Sequence, residues 1–348
     1  MATARAPAGP LSRRDAFSVA PEIALFSLGG TIATSWQPTG GSSPVAATAE
    51  GLLRSLDGIL DINVRPHDFR LVPSGDLTTG DVIELSRAVA RAIEAGASGA
   101  VVTQGTNTLE ETAFLLDHLI PAEAPVVVTG AMRSAGAPGA DGDANLLAAL
   151  RVAASPLARG IGTLVAFNDE VHAARFVAKT HSTSTGAFRS PNAGPLGWVT
   201  EGRVRIPLVP RRRSRVVDLP PGVTELPAVG LVRLSLGDDG ALLRSLAQTG
   251  FSGLVVEVFG AGHASGRTLA PLADLASAMP VVFASRTGAG ELYRSSSQFR
   301  GSERDLLAAG LISAASLDGL KARLLLGLLL AEGAGTAVIA ERFAEETS

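Results

Sequence analysis

The chain has no cysteine, which excludes disulfides, thiolate metal sites and a cysteine nucleophile together. Lysine is nearly as scarce: Lys179 and Lys321 are the only two among thirty basic residues, the others being arginine. Tyr293 is the single tyrosine, and aromatic residues make up 4% of the sequence. The five histidines (His67, His118, His172, His181 and His263) show no H-E-x-x-H or similar spacing, so no metal-ligand pattern is present. No uninterrupted run of eighteen apolar residues occurs, so no segment reads as a membrane span. The start of the chain, MATARAPAGPLSRRDAFSVAPEI, breaks its apolar stretch at Pro21 and Glu22 and makes a poor signal peptide, which points to the cytoplasm. A net charge of −3 leaves no overall basic field to collect nucleic acid or an anionic membrane. The one dense basic run, Arg211-Arg212-Arg213 with Arg215 beside it, reads as a solvated linker, with an anion or RNA contact as the alternative.

What the sequence does contain is an apolar, glycine-rich chain of 348 residues, 46% hydrophobic, long enough for two domains that each bury a core. The first half alternates strand-like and helix-like segments. Strands are expected at Ile23 to Leu28, Phe69 to Val72, Ala100 to Thr103, Ala124 to Thr129 and Thr163 to Phe167. Helices are expected at Ala49 to Leu56, Thr79 to Ala95, Leu109 to Leu119 and Asp143 to Ala154. Strands that read as continuous apolar runs in βαβα order imply an α/β fold: a mostly parallel sheet flanked by helices, with ligands gathering beyond the carboxyl ends of its strands. The proline-rich stretch 207–227 reads as a linker between a domain at 20–206 and a smaller α/β domain at 228–348. The latter should hold strands at Val229 to Leu234, Leu254 to Val258 and Val281 to Phe283, with helices at about Asp239 to Gln248, Leu269 to Ser277 and Leu317 to Glu332.

Three strand-to-loop junctions carry hydroxyls beside glycine: Ser27-Leu28-Gly29-Gly30-Thr31, Thr103-Gln104-Gly105-Thr106-Asn107-Thr108, and Thr129-Gly130-Ala131-Met132-Arg133. One such junction is an ordinary βα turn with a capping threonine. Two Gly-Thr junctions in one parallel sheet converge on the same edge and suggest a site. Neither G-x-G-x-x-G after the first strand, nor a Walker loop, nor a G-x-S-x-G elbow is present, so the remaining chemistry is that of a hydroxyl without cofactor, metal or histidine. Such a nucleophile needs a base, and a lysine with a lowered pKa is a candidate. In so arginine-biased a chain, Lys179 stands out just beyond the Thr163 to Phe167 strand, whereas Lys321 reads as the solvated face of a Leu-rich amphipathic helix.

Taken together, these stretches resemble the bacterial-type L-asparaginase family, which includes glutaminase-asparaginases and an asparaginase-like component of a tRNA-dependent amidotransferase. The matching segments are Ser27-Leu28-Gly29-Gly30-Thr31-Ile32-Ala33, Gln104-Gly105-Thr106-Asn107-Thr108-Leu109-Glu110-Glu111-Thr112, Gly130 to Arg133, Asp141 to Leu146, Lys179-Thr180 and Gly194 to Gly197. The resemblance implies hydrolysis of L-asparagine without cofactor, in a tetramer built from dimers with active sites between neighbouring subunits. It also implies Thr31 as nucleophile, Thr106 with Lys179 as a hydroxyl–lysine pair, Ser74 at the substrate α-carboxylate and Ala131 against the side-chain amide. Gly30, Gly75, Gly105 and Asn107 would complete the substrate site.

The sequence also departs from the family pattern. The segment after Thr31, Ser35 to Pro44, lacks the family's lid tyrosine, so another residue or a water assists Thr31, or Tyr293 reaches in from the second domain. Asn107 stands where the family has an aspartate for the substrate ammonium, and Ala261 replaces an expected asparagine, leaving His263 or Ser265 as substitutes. Three readings follow: an amidohydrolase of L-asparagine with lesser glutamine activity, weakened by Asn107 or altered toward an amide without an α-ammonium; an amidase component of an amidotransferase; or a non-catalytic amino-acid-binding relative. The second needs a docking domain ahead of the first strand, and the third leaves Thr31, Thr106 and Lys179 without a purpose.

Overall fold

A computed structural model describes residues 21–37, 47–121, 123–211 and 214–346. The chain enters through β1 (Glu22–Ser27), then passes α1 (Ala49–Arg54), β2 (Asn63–Asp68), α2 (Thr79–Glu94), β3 (Gly99–Thr103), α3 (Leu109–Leu119), β4 (Val126–Thr129), α4 (Gly142–Ala154) and β5 (Thr163–Phe167). Five short strands follow: β6 (Glu170–Ala173), β7 (Ala178–Lys179), β8 (Phe188–Arg189), β9 (Gly197–Thr200) and β10 (Arg203–Arg205). The second unit contains β11 (Val229–Arg233), α5 (Ala241–Leu246), β12 (Gly253–Val258), α6 (Leu269–Ala278), β13 (Val281–Ser285), α7 (Glu303–Ala308), β14 (Ile312–Ser313), α8 (Gly319–Ala331) and α9 (Thr336–Glu345).

The large sheet runs β10-β9-β6-β5-β4-β3-β1-β2. Its β2-β1-β3-β4-β5 portion is parallel, and β6, β9 and β10 extend it antiparallel. Both faces of β1 are covered, which explains its unbroken apolar sequence. Ile23 and Leu25 join Leu52 of α1 and Leu146 and Leu150 of α4, while Ala24 and Phe26 join Val82 and Leu85 of α2 and Leu109 and Phe114 of α3. The sheet turns antiparallel at Asn168-Asp169, both at positive φ (51° and 64°), as a two-residue hairpin between β5 and β6 requires. The helix expected at Thr79 to Ala95 forms with a capping box in which the Thr78 hydroxyl accepts from the Asp81 amide and the Asp81 carboxylate accepts from the Thr78 amide.

Two expectations are corrected. The strand expected at Phe69 to Val72 lies instead at Asn63–Asp68, an edge strand. Its polar residues and Pro66 hide it from an apolar-run search, because an edge strand tolerates both. Lys321 is not on a solvated face: the residue is 1% exposed. Helix α8 packs against α3 on one side and against the four-stranded parallel sheet β11-β12-β13-β14 on the other, so its leucines are buried all round and Lys321 is buried with them. The same core runs through both units, from Phe114 to Val255 and Leu325. Residues 207–211 and 214–227 contain no helix or strand, and Val217 in this connection is buried, its amide donating to the His118 carbonyl. Arg212 and Arg213 lie outside the described residues, as do the lid positions 38–44.

Candidate active site

Neighbouring parallel strands β1 and β3 end side by side, Ser27 opposite Thr103, so the loops after them emerge at one edge. Gly30 sits at φ 84°, ψ −174°, a conformation open essentially only to glycine. A Cβ there would run into the Cα and amide nitrogen of Gly105. Gly105 is in turn pressed against Ser74, whose Oγ would lie 2.7 Å from an added Cβ. The two loops therefore touch through bare backbone, and the residues that follow the touching glycines are Thr31 and Thr106. Gly30→Ala is expected to lower stability by about 2–4 kcal/mol, since a Gly-only backbone and a backbone clash add. Chemical denaturation of the variant measures this, and a midpoint equal to wild type would contradict the packing.

Thr31 opens a short 3-10 turn that ends at Ala33. Its carbonyl accepts from both the Thr34 amide (3.1 Å) and the Thr34 hydroxyl (2.9 Å), so the backbone at Thr31 is held from the C-terminal side. Beyond it, Trp36 donates its amide to the Ala135 carbonyl and Ala135 donates to Thr34, which ties the start of the lid segment to the loop after β4. That loop is shaped by Asp141, whose carboxylate accepts from the Met132 and Arg133 amides at 2.9–3.1 Å, and by Asn145, which donates to the Gly130 carbonyl at 3.0 Å. Ala131 is thereby fixed, fully buried, in the cluster that holds Ile32. An added Cβ on Gly130 would lie 3.4 Å from the Thr106 methyl group, so the third junction meets the second.

The polar centre is built by Thr106, Lys179 and Asn107. Lys179 Nζ donates to Thr106 Oγ1 at 2.8 Å and to Asn107 Oδ1 at 3.4 Å. Burial pushes the Lys179 ammonium below its ordinary pKa, and the nearby Glu110 carboxylate pulls part of the way back. Ser74 anchors the same loop: its Oγ accepts from the Asn107 amide at 3.3 Å and its carbonyl accepts from the Thr108 hydroxyl at 2.8 Å. Gly75 lies outside this contact set, exposed on its turn with open space on its Cβ side. Tyr293 packs against His263 in the second unit, ring centroids 6.3 Å apart, and His263 Nε2 lies 3.1 Å from Ser297 Oγ. The Ser265 hydroxyl accepts from the Arg267 amide at 3.2 Å.

Sequence reading missed Glu110. Its carboxylate accepts the Lys179 backbone amide at 2.9 Å and lies 4.0 Å from Lys321 Nζ. Burial raises its pKa, and Lys321 opposes that rise. Among the described residues no group of three or more His, Asp or Glu side chains is placed to hold a metal ion, and no helix is long and apolar enough to cross a membrane. What the arrangement offers is two threonines on touching loops, with a lysine amine of lowered basicity on one of them.

Comparison with known proteins meets this geometry. The family model described as "Asparaginase, N-terminal" matches residues 22–211, and that described as "Glutaminase/Asparaginase C-terminal domain" matches 228–343. The L-asparaginase of Bacillus licheniformis is 33% identical over 313 residues, covering 89% of this chain and 95% of that protein. A probable L-asparaginase of Deinococcus radiodurans is 36% identical over 322 residues, covering 90% of this chain and 94% of that protein. The crystal structure of a probable cytoplasmic L-asparaginase from Campylobacter jejuni superposes with a TM-score of 0.85 at 32% identity, covering 93% of this chain and 99% of that one. Both family models lie on the two units in order, and the solved relative repeats their arrangement over nearly its whole length: the chain belongs to the asparaginase family of amidohydrolases.

Proposed function

We propose that the protein hydrolyses the side-chain amide of L-asparagine to L-aspartate and ammonia through an acyl-enzyme on Thr31. The Thr31 hydroxyl attacks the carboxamide carbon, its proton passing through a site water to the neutral Lys179–Thr106 pair, and backbone amides of the touching loops stabilise the oxyanion. The pair hands that proton to the departing ammonia, then takes one from the water that cleaves the β-aspartyl ester and returns it to Thr31. Ser74 binds the substrate α-carboxylate, and Ala131 lies against the amide. The observation that carries this reading is the 2.8 Å contact of Lys179 Nζ with Thr106 Oγ1, beside the backbone contact of Gly30 with Gly105. The reaction takes place in the cytoplasm, in a homotetramer that sedimentation would measure directly.

Ammonia release from L-asparagine, L-glutamine, D-asparagine and succinamate by the purified protein tests the assignment. L-Asparagine is expected to be the best of the four. A preference for succinamate, which has no α-ammonium, would redirect the reading to another amide, and release from none would favour a binding protein.

Asn107 gives the assignment a sharper test. An amide accepts a hydrogen bond from the substrate ammonium but brings no charge, and a charge-assisted bond is worth roughly 1.5–3 kcal/mol. Asn107→Asp is therefore expected to raise kcat/KM for L-asparagine at least about tenfold at alkaline pH. The same carboxylate would stand near Lys179 Nζ, now 3.4 Å from Asn107 Oδ1, and favour its ammonium form. Because the amine must be neutral to take a proton, the acid limb of the kcat/KM profile should move to higher pH. A variant no better than wild type at any pH would sink the role given to Asn107.

A further inference from the structure

Both lysines of the chain meet one carboxylate. Lys321, from the first turn of α8, donates from Nζ to the Val177 carbonyl at 2.7 Å and to Asp318 Oδ2 at 2.7 Å, and lies 4.0 Å from Glu110 Oε2. Glu110 Oε2 accepts the Lys179 backbone amide at 2.9 Å. Val177 and Lys179 flank Ala178, so the short strand β7 is gripped on both sides: directly at the Val177 carbonyl, and through Glu110 at the Lys179 amide. Pairing of Lys179 with Phe188 of β8 secures the strand's other edge. From this fixed backbone the Lys179 side chain reaches Thr106.

We propose that Lys321 is a positioning residue for Lys179, by which the helix between the two units sets the reach and register of the amine in the active site. The proposal rests on the reading of Lys179 given above. Stability alone does not call for a buried ion pair here, because replacing both partners by apolar side chains of similar volume is often neutral or stabilising, whereas removing one leaves the other uncompensated. What the ammonium supplies in addition is a donor to Val177 and a cation that opposes the rise burial imposes on the Glu110 pKa, favouring the carboxylate that accepts the Lys179 amide. The other charges nearby are already engaged: Asp318 caps α8 by accepting the Lys321 amide, and Glu111 pairs with Arg323 at 3.4 Å.

The test uses Lys321→Met in the full-length protein, alone and combined with Lys179→Met. Lys321→Met is expected to lower kcat for L-asparagine about 10- to 100-fold with KM within about threefold, because misplacing a catalytic group by about an ångström costs that much. In the Lys179→Met background the same change should alter kcat less than about twofold. No loss in the single variant, or an equal loss in the double variant, overturns the proposal. A second readout needs no turnover. In 15N-lysine-labelled Lys321→Met protein the only labelled residue is Lys179, and its amide should exchange with solvent at least about tenfold faster than in wild type, the Glu110 clamp having loosened. Unchanged exchange overturns the proposal as well. A wild-type protein that releases no ammonia would remove the proposed function, while the exchange measurement would still decide the placement of Lys179.

Discussion

Thr31→Ala is expected to lower the rate of ammonia release from L-asparagine by at least about 10⁴-fold, the scale for deletion of a covalent nucleophile. The fold should survive, because Thr31 contributes its backbone to the short turn and its carbonyl, which accepts twice from Thr34, is untouched by the change. L-Aspartate should still bind to the variant, since the α-carboxylate site proposed at Ser74 and the packing of Ala131 do not involve the Thr31 hydroxyl. Thr31→Ser, which keeps a hydroxyl on the same backbone, should retain activity within about a hundredfold of wild type. Steady-state kinetics and binding calorimetry separate these outcomes. A Thr31→Ala protein that keeps a tenth of the activity would move the nucleophile elsewhere.

Lys179→Met is expected to lower kcat by about 10²- to 10⁴-fold, the range for loss of a general acid–base group. The methionine chain fills the lysine's space, so the loss reports the amine. Lys179→Arg should not rescue, because a guanidinium stays charged at every pH at which the protein is folded. The pH profile gives the sign. Burial pushes the Lys179 ammonium below its ordinary pKa and Glu110 partly restores it. The neutral amine therefore becomes available at lower pH than for an ordinary lysine, and wild-type kcat/KM should climb through that acid limb. The limb should be missing in Lys179→Met, and a Lys179→Met profile that keeps the wild-type limb would assign the titration to another group.

Much of this architecture is legible in the sequence wherever burial on both faces writes a continuous apolar run, as in β1, β3, β4, β12 and β13. The Gly-Thr junctions are legible for a different reason: backbone contact between Gly30 and Gly105 tolerates no side chain, so the contact is written as glycine. Edge strand β2 and short strands β6 to β10 are harder to read, being half-exposed, polar or only two residues long. The Asn168-Asp169 turn does carry a signal, since Asn and Asp favour the left-handed conformation that a tight hairpin needs.

Lys321 shows where pattern reading fails. Its helix carries Leu324 to Leu326 and Leu328 to Leu330, an apolar run too broad for one face, and this marks a helix covered on every side. The rarity of lysine that singles out Lys179 applies to Lys321 equally. What no local pattern contains is that α8 comes back to strand β7 across 144 residues and places that ammonium on Val177. Asn107 is the opposite case: its identity is plain in the sequence, and its distance from Lys179 Nζ is not.

Peptide mapping by mass spectrometry after rapid acid quench of the enzyme turning over L-asparagine tests the central claim most directly. The account predicts an added aspartyl group, bound as an ester, on the peptide that carries Thr31, absent from Thr31→Ala. An aspartyl group on the Thr106 peptide instead, or full turnover by Thr31→Ala, would contradict it.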